Sequence, residues 1–195
     1  MTGLEVLVVV GVLINVGGTT AYIARVVRGK NKPNRMSFLM WSIAPIIGAA
    51  ASFAQGVTWA ALPILFVGLC PFAVFVASFV NPEAYWELGR FDYLCGGLSA
   101  LALILWWITS LPMIALVLAI VSDAFAGWPT LIKAWRHPDT ESANGYVASM
   151  FSSATSFFVA TPLNFASIAF PIYILCINMA ITVGILRGRA HRRVI

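Results

Sequence analysis

Two polar side chains stand inside long apolar runs at the same register. Asn15 interrupts LVVVGVLINVGG, and Asp123 interrupts ALVLAIVSDAFAG 108 residues further on. An amide or carboxyl in such a run can bind a polar solute, exchange a proton or tie helices together. The same gapless offset lays Arg28 on Arg136, Ala61 on Ala169 and Pro63-Ile64 on Pro171-Ile172. The chain therefore reads as two copies of one unit. Duplicated halves with matched polar points near the bilayer midplane are the pattern of a transporter.

Asp123 is the one acid well inside an apolar run. An ionised Asp at a helix centre costs ~2.5–3.5 kcal/mol on insertion scales, so it is expected to face a cavity or a partner, or to carry a proton. It is the candidate for proton coupling. The plainer reading is a protonated carboxyl that bonds a neighbouring helix as structural glue. Asn15 carries the same two readings, pocket lining or an interhelical bond. Trp128 directly precedes Pro129 and follows Asp123 by little more than a helical turn, which makes it a further candidate. Trp41, Trp59, Trp106, Trp107 and Trp135 are expected mostly near helix ends, where indoles anchor in the headgroup layer. Ser152, Ser153, Thr155 and Ser156 either line an aqueous path or bond their own helix carbonyls.

These residues need helices to position them, and the composition says which kind. The chain is 61% hydrophobic and 10% charged, with a mean hydropathy of +0.91. That is the profile of an integral membrane protein. A bilayer core needs roughly 20 apolar residues per helix. Seven stretches qualify: Leu4–Val27, Ser37–Ala54, Ala60–Val80, Tyr93–Ile108, Leu111–Trp135, Gly145–Ala160 and Phe165–Leu186. The fold class expected is all-α integral membrane, with function inside the bundle.

All 12 Lys and Arg fall on one side of a seven-span arrangement, after spans one, three, five and seven. The opposite connectors, Gln55–Trp59, Thr109-Ser110 and Thr161–Asn164, carry no charge. The positive-inside rule then puts the N-terminus outside and the C-terminus in the cytoplasm, as in a protein of the cytoplasmic or plasma membrane. The net charge of +5 is topogenic, and no nucleic acid is expected as a partner. The N-terminus lacks a basic n-region and a cleavage pattern, so span one is expected to be retained. Cys70, Cys95 and Cys176 lie within spans without disulfide or zinc spacing. His137 and His191 have no metal-ligand spacing either. No catalytic residue, metal or cofactor is expected, because no nucleophile has an evident base.

The organisation expected is 3+1+3. Residues 1–80 form a three-helix repeat, 81–109 an interfacial segment and linker helix, 110–187 the second repeat, and 188–195 a basic tail. One extra helix brings the second copy in parallel to the first, about an axis along the membrane normal. Asn81-Pro82 signals a turn, and Glu83, Tyr85, Trp86 and Glu87 suggest a short interfacial helix. Pro45, Pro63, Pro129 and Pro171 are candidate hinges, since proline removes a helix hydrogen bond and loosens the turn.

Two segments carry a family likeness. The second copy reads Gly127-Trp128-Pro129-Thr130, then Lys133-Ala134-Trp135-Arg136, and a polar turn to Glu141-Ser142-Ala143-Asn144-Gly145. The first copy reads Ala21-Tyr22, then Arg25 and Arg28, and Pro33-Asn34-Arg35-Met36-Ser37. Together with the topology, this resembles the SWEET and PQ-loop superfamily of seven-span transporters. The Pro-Gln dipeptide itself is Pro129-Thr130 in one copy and Ala21-Tyr22 in the other. The resemblance implies alternating access around a midplane pocket between the two three-helix units. It implies a pocket lined by Asn15 and Asp123, with Cys70 and Asn178 on the third helices, again 108 residues apart. It implies the lipid bilayer and a small polar metabolite, such as a sugar or vitamin, as partners. A homo-oligomer is compatible with it. The alternative is a membrane receptor of the same fold that holds a peptide or lipid without moving it.

Overall fold

The computed structural model describes residues 3–54, 61–109, 111–159 and 164–192. Trp59, Ser110, Arg193 and most of the uncharged connectors lie outside the described residues. Among those described, the chain forms seven α-helices: α1 (Gly3–Val27), α2 (Arg35–Ala54), α3 (Ala61–Ala77), α4 (Arg90–Ile108), α5 (Pro112–Arg136), α6 (Asn144–Val159) and α7 (Phe165–Arg192). Single 3-10 turns occupy Pro82–Ala84 and Pro138–Thr140.

Four helical stretches are long and apolar enough to cross a bilayer: Val6–Val27, Arg90–Ile108, Met113–Arg136 and Ser167–Gly188. Arg35–Ile47 and Ile64–Ala77 are shorter apolar stretches. Helices are the natural answer to such sequences, because an apolar solvent leaves the backbone to satisfy its own hydrogen bonds. The side chains sort as they do in lipid. Leu13, Ile104 and Trp107 lie on the outside, while Ser42, Ser99, Ser122 and Thr130 are buried. Small polar groups then join helices directly. The Ser99 and Ser122 hydroxyls meet at 3.0 Å, and Ser122 Oγ also donates to Ser99 O, tying α4 to α5.

Helix α3 packs on both α1 and α2, and α7 packs on both α5 and α6. Helix α1 lies along α6, α2 along α5, and α4 against α5 and α2. The two polar residues occupy similar positions along their own helices. Asn15 is the thirteenth residue of α1 and Asp123 the twelfth of α5.

Two segments depart from expectation. Residues 83–87 do not form an interfacial helix. The Asn81 side chain accepts from Glu83 N, Pro82 opens one 3-10 turn, and Tyr85 is already extended. Trp86 then packs against His137, with ring centroids 5.3 Å apart. Helix α7 continues through Arg192, so the described part of the basic tail extends the last helix. Helix α1 stops at Gly29, the one residue with positive φ among those described (70°). Its left-handed conformation lets Lys30 N donate to Arg25 O at 2.9 Å, closing the helix end. Asn81 Nδ2 donates to Val27 O nearby, at 2.9 Å, and pins the linker to that end.

Candidate functional site

A cavity of about 100 Å³ lies among α1, α2, α3, α6 and α7. From the first three helices it is lined by Asn15, Thr19, Tyr22, Phe38, Trp41 and Cys70. From the last two come Tyr146, Ser149 and Asn178. Helical spacing explains the first group. Asn15, Thr19 and Tyr22 recur at i, i+4 and i+7 and so share one face of α1. Phe38 and Trp41 do the same on α2.

Asn15, Cys70 and Asn178 thus come together on one cavity. Asp123 does not line it, but sits one layer behind. Its Oδ2 accepts from the Tyr173 hydroxyl at 2.7 Å, and its backbone carbonyl accepts from Trp41 Nε1 at 3.2 Å. Trp128 is 51% exposed on the outer surface of α5. Pro45, Pro129 and Pro171 fall inside α2, α5 and α7. Pro63 falls in the first turn of α3, and Pro71, further along that helix, lines the cavity.

Several residues of the site were not singled out from sequence. Trp41 is a cavity wall that bonds α5, and not a headgroup anchor. Tyr22, Phe38 and Tyr146 are buried aromatic neighbours: Tyr22 and Phe38 centroids lie 5.6 Å apart, and Tyr22 and Tyr146 6.0 Å apart, edge to face. The spacing of Tyr22 seven residues after Asn15 was the available signal.

At the basic end of the bundle, beyond the two tyrosines, lies a buried polar cluster. Tyr22 and Tyr146 both donate to Glu141 Oε2, at 2.6 and 3.1 Å. Lys133 forms an ion pair with Glu141 Oε1 and also donates to the Lys32 carbonyl. The two connectors touch directly: Lys32 N donates to Thr140 O at 2.8 Å, and Asn31 Nδ2 to Ser142 Oγ at 2.7 Å. Trp86 covers Lys133 with its ring centroid 4.9 Å from Nζ. Asn34 Nδ2 donates to Asp92 Oδ1, and Asp92 Oδ2 accepts from Gly89 N at 2.6 Å, which holds the start of α4 to the same layer. A buried pair of this kind persists only where the remaining lone pairs and protons are satisfied, and here both Glu141 oxygens are engaged. The arrangement ties α1, α5 and the start of α6 together beyond the two tyrosines of the cavity wall.

Among the described residues no three His, Cys, Asp or Glu side chains gather as a metal site requires. Comparisons with protein-family models, with curated proteins and with solved structures return no match.

Proposed function

We propose that the chain is a small-solute membrane transporter or facilitator of the SWEET and PQ-loop type. Seven helices cross the membrane as 3+1+3, and the two three-helix units rock about the cavity. The observation that carries this reading is a cavity inside the bundle to which both units contribute polar side chains, through Asn15 and Thr19 on one side and Ser149 and Asn178 on the other.

The packing supports the repeat. Exchanging α1, α2 and α3 for α5, α6 and α7 turns each pairing among these six helices into another that exists: α1 on α3 becomes α5 on α7, α2 on α3 becomes α6 on α7, and α1 on α6 becomes α5 on α2. Helix α4 is the element left over, as a linker would be. A bonded layer at the basic end is suited to act as a gate in alternating access. On this reading the Lys133–Glu141 cluster at the basic end is the closed gate, and the positive-inside rule makes that end the cytoplasmic one. Asp123 is the proton-exchanging acid of this scheme. Its carboxyl bonds the Tyr173 hydroxyl of α7, and its backbone carbonyl bonds Trp41 of the cavity wall.

The test is flux. Purified protein in proteoliposomes, screened by counterflow with a panel of labelled polar metabolites, is expected to exchange at least one across the bilayer. Saturable binding without exchange would instead favour a receptor of the same architecture.

A further inference from the structure

Hydrogen-bond donors around the cavity are largely spent elsewhere. The Tyr22 and Tyr146 hydroxyls both donate outward, to Glu141 Oε2. Trp41 Nε1 donates to the Asp123 carbonyl, and Asn178 Nδ2 to the Ile174 carbonyl at 2.8 Å. Aromatic rings dominate what remains to face a solute, with the Asn178 carbonyl oxygen and the Asn15 and Ser149 side chains as the polar groups among them. Among the described residues lining the cavity none is Lys, Arg or His.

The charges behind the wall point the same way. Glu141 is balanced by Lys133, and Asp123 stands behind Trp41 with a tyrosine hydroxyl and no cation bonded to it. An anion would meet ring faces of the wrong sign and few donors. A neutral polyol would have the Asn15 amide and the Ser149 hydroxyl to bond, but would gain nothing from the charge distribution of the rings. An organic ammonium ion needs no donor, because ring quadrupoles and carbonyl oxygens attract it directly.

We infer that the cavity takes a small organic ammonium ion, held among Tyr22, Phe38, Trp41 and Tyr146 with Asn178 Oδ1 as its acceptor. The inference rests on reading this cavity as the solute site. Phe38 and Trp41 meet edge to face, with centroids 5.4 Å apart, so the two rings offer differently oriented surfaces. Such a wall suits an ion that is attracted from several sides better than a flat ring that stacks on one.

Three molecules of one shape separate the charge classes: choline, the neutral 3,3-dimethyl-1-butanol and the anionic 3,3-dimethylbutyrate. Binding to the full-length protein is measured by thermal shift and by calorimetry. Choline, and tetramethylammonium with it, is expected to bind at least about tenfold more tightly than the neutral isostere, with no binding of the anion. Phe38→Leu and Trp41→Leu each remove a ring and are expected to weaken choline by about tenfold while leaving the neutral isostere unchanged. If these variants do not fold, the wild-type comparison alone decides. Failure of both ammonium ions to bind, or equal binding of the neutral isostere, overturns the inference. Labelled choline in proteoliposomes separates the two claims. Cation-selective binding without flux removes transport and keeps the site, whereas flux of other solutes without ammonium binding keeps transport and removes the inference.

Discussion

Tyr22 on α1 and Glu141, 119 residues later, share a hydrogen bond of 2.6 Å in the interior of the bundle. That contact, with the Lys133–Glu141 ion pair behind it, joins the start of the chain to the connector before α6. It is both a seal and a structural liability.

The liability is measurable. Glu141→Ala leaves the Lys133 ammonium buried and unpaired, and is expected to destabilise the protein by about 3–5 kcal/mol. Replacing both partners with apolar residues, Lys133→Met with Glu141→Leu, should recover most of that loss. Thermal unfolding in detergent checks it, and a double variant no better than the single one would mean that Glu141 matters through its tyrosines.

The seal predicts accessibility. Tyr22→Phe removes one bond from α1 to Glu141 and leaves Tyr146 in place, a loss of about 1 kcal/mol. Cys70, buried on the cavity, should then react faster with a membrane-impermeant thiol reagent applied from the basic side. The background is Cys95→Ala with Cys176→Ala. An unchanged rate would show that the closure does not depend on this bond.

Asp123→Asn keeps an oxygen that can accept from Tyr173 but removes the exchangeable proton. Accumulation driven by a pH gradient is expected to disappear while exchange at equal pH persists. Stability should change by less than about 1 kcal/mol. Gradient-driven uptake that survives in the variant would remove Asp123 from coupling.

Gly17 and Gly18 make a matched control for helix packing. A Cβ on Gly18 would press on Ala148 Cβ and lie 2.8 Å from Asn144 O, whereas one on Gly17 meets nothing within 4 Å. Gly18→Ala should therefore cost about 1–3 kcal/mol by separating α1 from α6. Gly17→Ala should be neutral or slightly stabilising. Equal effects in thermal unfolding would mean that α1 and α6 are not held this closely.

If the proposed seven spans hold, a reporter fused after Ile195 should be cytoplasmic and a tag before Met1 external, because that arrangement puts every Lys and Arg on one side. An external C-terminus would reverse which end of the bundle the Lys133–Glu141 cluster seals.

The sequence alone determined the helices. Apolar runs of bilayer length leave the backbone no partner but itself, so α1, α4, α5 and α7 begin and end within a few residues of the apolar stretches that mark them. It also set Asn15 and Asp123 at similar positions along their helices, since that position follows directly from residue count. Rotation about each axis does not. Whether Trp41 anchors in headgroups or walls a cavity depends on which helices pack against α2, and only the tertiary structure decided that. The same holds for Asp123, which stands behind the cavity wall rather than on it. Glu141 stands in the sequence only as part of a polar turn. It is buried because Lys133, Tyr22 and Tyr146, from three different helices, converge on it, and no local pattern records such a convergence.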